Sequence, residues 1–372
     1  LTGTIPDDVI LSHRFTLYAY TGDLENAVAC YERLRALGKV SKGPRGALIT
    51  LIFATLDPGA ADALFDRIGH PMAEAFGPHD RASLKGQQML EFDLEHKALS
   101  DSDIAATPVG WVRAHPQSTV AAVRLINEWY ADAVPAQGPN AAEIPRQIVQ
   151  YWDAPRVPAD LAPLIESWAA APGFAHRLFD RTAAARFLRE NMGPKWIAAF
   201  RMAHNPTAES DFLRLCYLAH SGGVYADADD LLTGDLARLL SRAQGRGLLL
   251  CRDPLGGVLA NNFIAAPARH PVIVHAARMA RTTLLRRGNA VPWSATGPGL
   301  LTRAVAQYLA QTDAGIARRQ ITLLDWPEVT AEILMHNPVA YKVSTSYWQS
   351  SRRTATRIWE RLETALRADA AA

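Results

Sequence analysis

Asp227 and Asp229 are separated by a single residue and follow the apolar trio Val224-Tyr225-Ala226. Two carboxylates at the end of a buried strand suit a hard divalent cation, because oxygen ligands and a partly hydrated ion bridge readily to phosphate. Alone, such a pair is weak evidence, since acidic residues are common in polar turns. What precedes it makes it specific. Phe212, Leu215, Cys216 and Ala219 recur at helical spacing, and Asp211 and Arg214, three apart, fall side by side on the flank of that apolar stripe. A guanidinium matches phosphate oxygens bidentately, so the group as a whole reads as a site for a cation together with a phosphate-bearing ligand.

The elements that must position these residues can be read outward from them. Asn205 can cap a short helix and Pro206 suits its first turn. Gly222 and Gly223 stop it, because the chain there needs a backbone conformation costly for other residues. Val224 to Ala226 then run as a buried strand, and open α/β sheets place their ligand crevice at strand C-termini. Upstream, Ile144-Pro145 introduces a strand over 147–152, followed by a helix over 161–170, a strand over 174–179 and a helix over 183–192. Downstream, 248–251 and 259–265 read as strands, the second carrying Asn261 and Asn262. Residues 271–287 form a basic amphipathic helix, read as a solvated face, and Thr296-Gly297-Pro298 opens a helix over 299–309. Strands alternating with helices imply an α/β domain with a largely parallel sheet.

The first part of the chain has a different period. Leu24, Ala27, Val28, Tyr31 and Leu34 form one stripe in a helix over 21–34, and further helices are expected over 59–68, 83–98 and 118–133. The turn-rich stretch 135–140 separates an all-α domain, residues 1–138, from the α/β domain, residues 139–372. A last helix is expected over 352–367. Among 372 residues, 39 basic and 37 acidic side chains nearly cancel, so composition demands no nucleic-acid partner. Cys30, Cys216 and Cys251 are odd in number and far apart, which excludes a disulfide framework and fits buried thiols in a reducing compartment. No apolar run approaches the ~18 residues a membrane span needs, and no signal peptide is recognisable. The expected location is cytoplasmic, or peripheral at the inner face of a membrane. The chain opens on Leu1 rather than Met, which leaves its natural start open.

Taken together, S-D-x-x-R, G-G-V-Y and D-x-D resemble the sugar-nucleotide-binding core of glycosyltransferase family 32 and of the related large clostridial toxins. The resemblance implies a GT-A-type fold, a nucleoside-diphosphate sugar donor with uridine or guanosine, Mn2+ or Mg2+, and retention of anomeric configuration. Acceptors in that group are saccharides, lipid-linked glycans or proteins. By the same resemblance Trp152, ending the opening strand, stacks on the base, and Asp211, Arg214 and Tyr225 contact the donor. Asp229 binds the metal directly, while Asp227 bridges the metal and the ribose. Asn262, in preference to Asn261, faces the sugar. Ser346 and Trp348 match a late S-x-W that closes the site, the serine on the metal and the tryptophan on the diphosphate. The toxins carry a carboxylate where Val343 stands, so the third protein ligand stays open between His336, Asn337 and Ser344, besides Ser346.

The 21–34 segment with its Gly-Asp turn also resembles half of a tetratricopeptide repeat, which implies either a surface for a protein partner or acceptor chain or a packing platform for the second domain. Two other readings of the D-x-D remain. A haloacid-dehalogenase-type phosphatase wants the pair on its first strand with a lysine downstream, whereas here the next lysine is Lys342. A scaffold that binds nucleotide sugar without turning it over fits the same residues.

Overall fold

The computed structural model describes residues 6–21, 23–40, 47–49, 51–52, 55–56, 58–68, 91–92, 94–96, 98–99, 107–131, 143–243, 247–253, 257–286 and 291–343. The break at 135–140, most of the helix expected over 83–98, and the last helix over 352–367 lie outside them.

The helical stretch opens with α1 (Asp7–Thr21) and α2 (Leu24–Ala36), followed by α3 (Pro58–Ile68), α4 (Pro108–Ala114) and α5 (Thr119–Ala131). The Asp23 carboxylate caps α2 by accepting from Asn26 N, so the helix starts three residues later than expected, and Thr21 ends α1 instead. The α/β part runs β1 (Gln147–Tyr151), α6 (Ala162–Ala169), β2 (Ala175–Phe179), α7 (Arg181–Asn191), α8 (Pro194–Met202), α9 (Pro206–Ser221) and β3 (Gly223–Ala226). It continues with β4 (Leu231–Leu232), α10 (Leu236–Ser241), β5 (Leu248–Arg252), β6 (Leu259–Ala266), α11 (Pro271–Arg286), α12 (Pro292–Ala295) and α13 (Pro298–Gln311). The described chain ends with α14 (Ala314–Gln320), β7 (Ile321–Asp325), α15 (Trp326–Thr330), β8 (Ile333–Leu334) and a 3-10 turn, Ala340–Val343.

Six strands form one sheet in the order β2-β1-β3-β6-β5-β7, and β4 pairs with β8 apart from it. β6 runs against both its neighbours and the other pairings are parallel, so the architecture is mixed α/β with a mostly parallel sheet. The C-termini of the five co-directed strands and the start of β6 therefore share one edge. β3 is buried at every position and flanked by β1 and β6, which explains why it reads as a continuous apolar run with no alternation.

Gly222 and Gly223 have φ of +68° and +111°. A Cβ on Gly223 would stand 2.5 Å from the carbonyl oxygen of Gln147 on β1, so this residue lets β3 pair closely with β1.

One face of the sheet is covered by α7, α9, α11 and α13, whose apolar residues join Leu11 to Ile126 of the helical stretch in one continuous core. Several buried contacts key the helical stretch into the rest. Arg303 of α13 donates to Thr119 Oγ1 at 2.9 Å, Arg113 donates to the carbonyl of Ala310, and Tyr130 donates to Asp325 at 2.8 Å. The opposite face packs Trp168, Phe263, Leu236 and Val329 into a second core. Burying each such side chain contributes about 1.5–3 kcal/mol. The three cysteines are free and buried. Among the described residues no helix is long and apolar enough to cross a membrane.

Candidate active site

The site begins with α9. Asn205 caps it, its side chain accepting from Ala208 N at 2.8 Å, and the helix runs sixteen residues, longer than expected. It is also buried more completely. Asp211 and Arg214 are each only 3% exposed, so they form no solvent flank of an apolar stripe but a polar pair enclosed between α9, β3 and β6. The enclosure is tolerated because the polar atoms have partners. Asp211 accepts from Asn261 Nδ2 at 2.8 Å, from Thr296 Oγ1 at 3.0 Å and from Arg214 Nη2 at 3.2 Å.

Arg214 is the hub. Its Nη2 also reaches Asp227 Oδ1 at 2.9 Å and Ser210 Oγ at 2.8 Å, and its Nη1 donates to the carbonyl of Asn261. The guanidinium lies over the Tyr225 ring, 4.2 Å from its centroid, and the Tyr225 hydroxyl donates to Asp227 Oδ1 at 3.1 Å. Burial disfavours the charge on Arg214, but Asp227, Tyr225 and Asp211 outweigh it and raise its pKa. Burial likewise raises the Asp211 pKa, against the pull of Arg214.

The strand tip then presents three carboxylates in different surroundings. Asp227 is held by its backbone between β6, where its N–H donates to Asn262 O at 2.9 Å, and β1, where Gln150 Nε2 donates to its carbonyl at 3.1 Å. Its side chain keeps 29% exposure. Burial pushes its carboxyl up to about 6, against the pull of Arg214, with Asp229 and Asp211 adding to the rise. The Asp229 side chain is 11% exposed and ion-paired with Lys342 Nζ. Asp230 is fully buried, accepting from Asn262 Nδ2 at 2.7 Å and from the backbone N–H of His336 at 2.9 Å. Burial, then the neighbouring Asp229 and Asp227, lift its pKa well above the usual carboxylate range.

These contacts also fix the segment that crosses in front of the tip. Asn337 Nδ2 donates to Asp229 O at 2.9 Å, and Lys342 Nζ donates to Asn337 O at 2.8 Å. His336 takes φ of +59°, a left-handed conformation that costs a non-glycine residue about 1 kcal/mol or more, and its ring stacks on Trp326 with centroids 5.7 Å apart. Burial lowers its pKa, which favours the neutral imidazole. On the other side Trp152 is half-buried at the end of β1, edge-on to Tyr341 at 5.4 Å and packed beside Ala228.

The structure thus brings together Asp211, Arg214, Tyr225, Asp227 and Asp229, with Trp152 and His336 at the sides. The amides of Asn262 and Asn261 are engaged by Asp230 and Asp211. Ser344, Ser346 and Trp348 lie outside the described residues. Among the described residues no three His, Cys, Asp or Glu side chains gather as a metal cage. The donor chemistry at the tip still fits a hard cation: two carboxylates with some exposure, each already carrying a positively charged partner, Arg214 on Asp227 and Lys342 on Asp229.

Sequence reasoning missed Lys342 and Asp230 as parts of the site, and it read Thr296 as part of a helix-opening turn without foreseeing its hydroxyl on Asp211. It also missed the ion pair under β1, in which Glu209 accepts from Tyr151 OH at 2.6 Å and from Arg181 Nε at 2.8 Å. Glu209 lies two residues before Asp211 on the same helix, the one local signal that pointed to it.

Residues 158–245 match the family described as "Glycosyltransferase sugar-binding region containing DXD motif". That span takes in S-D-x-x-R, G-G-V-Y and D-x-D, so the chain carries a DXD-containing glycosyltransferase region, as the resemblance implied. Among solved structures, one titled "PaToxG Glycosyltransferase" aligns with a TM-score of 0.38 and 16% identity, over 66% of this chain and 96% of that chain. No curated protein matches the chain.

Proposed function

We propose that the chain is a metal-dependent, retaining, GT-A-type glycosyltransferase that moves a sugar from a nucleoside-diphosphate donor to a saccharide, lipid-linked or protein acceptor. The observation that carries the proposal is Arg214 spanning Asp211 and Asp227 beneath a strand tip that also presents Asp229. Asp229 and Asp227 would hold the divalent ion, Mn2+ or Mg2+, with His336, Asn337, Ser344 or Ser346 as the further protein ligand. When bound, that ion acts as a Lewis acid on the leaving diphosphate.

The protein's own groups do the rest. Trp152 offers a half-buried π-face to a base, and uridine or guanosine would both stack there. Asp227 is fixed at both its backbone N–H and carbonyl, so its carboxylate would be held ready for the ribose and the ion. Arg214 holds Asp227 in place, and Tyr225 is the platform under both. The acceptor hydroxyl attacks the anomeric carbon on the face from which the diphosphate departs. One C–O bond forms as the other breaks, and the acceptor proton passes to the departing phosphate oxygen. This front-face course is supported by the state of the carboxylates: Asp211 and Asp230 are buried and fully engaged, while Asp227 and Asp229 are paired with cations. A trapped glycosyl-enzyme adduct in the mass spectrum would refute it.

The test is release of free nucleoside diphosphate from a panel of UDP- and GDP-sugars with manganese. Turnover is expected with wild type and absent with Asp229→Ala; equal behaviour of the two would sink the proposal. Donor binding by wild type with no release would favour the scaffold reading instead. The D-x-D follows β3, the third strand among the described residues, which disfavours a haloacid-dehalogenase-type phosphatase, and hydrolysis of an aryl phosphate would restore that reading.

A further inference from the structure

The outer sides of α7, α8 and α11 are rich in basic side chains. α7 carries Arg186 and Arg189 exposed three residues apart, on one side of the helix. α8 carries Lys195 and Arg201, both exposed. On α11, Arg278, Arg281 and Leu285 recur at helical spacing, with Arg286 beside them, and the Arg281 guanidinium lies 4.6 Å from the centroid of Trp196 on α8. α8 packs against both α7 and α11, so the three helices are neighbours. None of these seven cations makes an ion pair among the described residues, and Glu190 is the only acidic side chain exposed on the three helices. The whole chain has a formal net charge of only +2, so this is a local concentration of charge and not a general excess. Two large apolar side chains stand out among the cations, Met202 at 38% and Leu285 at 40% exposure.

The geometry points to this face as a docking surface for a membrane rich in anionic phospholipid. Unpaired cations spread over a helical surface match the diffuse negative potential of such a leaflet, which requires no particular spacing of phosphates. Met202 and Leu285 discriminate between partners. Apolar tips among basic side chains insert at the headgroup boundary, whereas a nucleic acid offers its phosphates no apolar counterpart. The Trp196 ring is already stacked on Phe212 and under Arg281, so it presents no free platform for a base.

α7 also starts beside the candidate site, where Arg181 bridges Glu209 and Asp153, the residue after Trp152. Docking would therefore bring the site edge close to the lipid and suit an acceptor carried on lipid. That corollary rests on the transferase reading; binding to vesicles does not, and is measured without any donor.

Each cation near an anionic surface is worth about fivefold in partitioning. The experiment is co-sedimentation of the full chain with vesicles of phosphatidylcholine alone, or with about one-third phosphatidylserine. Binding is expected to the mixed vesicles only, and to weaken as salt is raised from about 0.1 to about 0.5 M. The variant Arg189→Gln/Lys195→Gln/Arg201→Gln/Arg278→Gln should lose several-hundredfold in partitioning at an unchanged unfolding midpoint. A control variant elsewhere, Arg14→Gln/Arg33→Gln/Arg67→Gln, should bind as wild type does. Met202→Ser/Leu285→Ser should remove the binding that survives high salt. The proposal is overturned if the fourfold variant binds like wild type, if neutral vesicles bind equally well, or if a single-stranded RNA oligonucleotide is held more tightly than the mixed vesicles at the same salt.

Discussion

Replacing Arg214 by Met removes a charge while keeping much of the side chain's length, and the structure says what is left behind. The Asp211 side chain, 4% exposed, would keep only Asn261 and Thr296, and Asp227 would keep only the Tyr225 hydroxyl as a side-chain partner. Taking one partner from a buried ion pair costs about 3–5 kcal/mol, because the other charge stays buried without compensation. Asp227 retains 29% exposure and can recruit water, so about 4 kcal/mol is expected. At ~2.1 cal/mol/K per residue, unfolding 372 residues as one unit carries ~0.8 kcal/mol/K, which converts that loss to about 5 °C in Tm. Urea unfolding followed by tryptophan fluorescence gives the same quantity at constant temperature. The decisive measurement is a double-mutant cycle with Asp227→Asn. In the wild-type background that change breaks a pair, whereas in the Arg214→Met background it removes a stranded charge, so the two effects should differ by about 1–3 kcal/mol. If Arg214→Met costs under about 1 kcal/mol, or if the two changes add to within about 0.5 kcal/mol, Arg214 is not the counter-ion of Asp227.

Further expectations concern other parts of the molecule. Burial raises Glu95 to about 7, against the pull of Val120 N–H, Arg303, Thr119 N–H and Ser118. An acid whose folded pKa is raised contributes stability that is complete below its unfolded value near 4.5 and is lost as pH climbs through 7, up to about 3 kcal/mol here. Glu95→Gln keeps the acceptor oxygen and should flatten Tm against pH between 5 and 8; an unchanged slope would contradict the assignment. Gly223→Ala meets both a positive φ and the Gln147 carbonyl, and should cost about 3 kcal/mol or more. Gly193→Ala, with φ of +93° and open space around the new methyl, should cost only about 1 kcal/mol, and equal losses in denaturant titrations would rule out the clash as cause. Lys342→Met removes the ammonium that competes for Asp229, so Mn2+ binding followed by electron paramagnetic resonance without donor should tighten by about tenfold. Weaker binding would mean that Lys342 helps to build the ion's site.

The short-range parts of this arrangement were legible in the residues. Asn205, Pro206 and the two glycines delimit α9 by local backbone chemistry, and β1, β5, β6 and α11 end within one residue of expectation. α8 was not foreseen, because nine residues with three fully buried positions leave too brief a stripe between α7 and α9. β7 escaped for the same reason: a short apolar run carries no period that separates strand from loop. Spacing also says which residues are adjacent without saying what covers them. Asp211 and Arg214 were expected side by side, and they are, yet their enclosure comes from Thr296 and Asn261, 85 and 50 residues away. The pairing of Lys342 with Asp229 across more than a hundred residues leaves no local mark at all.

The three carboxylates of the tip divide the work according to their partners. Asp230 is buried against an amide and a backbone N–H, burial and its neighbours Asp229 and Asp227 lifting its pKa, and it ties the tip of β3 to β6 and to His336. Asp211, Asp227 and Asp229 then face two cations, Arg214 and Lys342. Arg214 is enclosed by α9, Tyr225 and Asn261, and it cannot leave without stranding charges. Lys342 belongs to a single 3-10 turn and, besides Asp229, its ammonium touches one carbonyl. It is therefore the cation that can move. A divalent ion at Asp229 would compete with that ammonium for the same carboxylate, whereas Arg214 would keep its own partners.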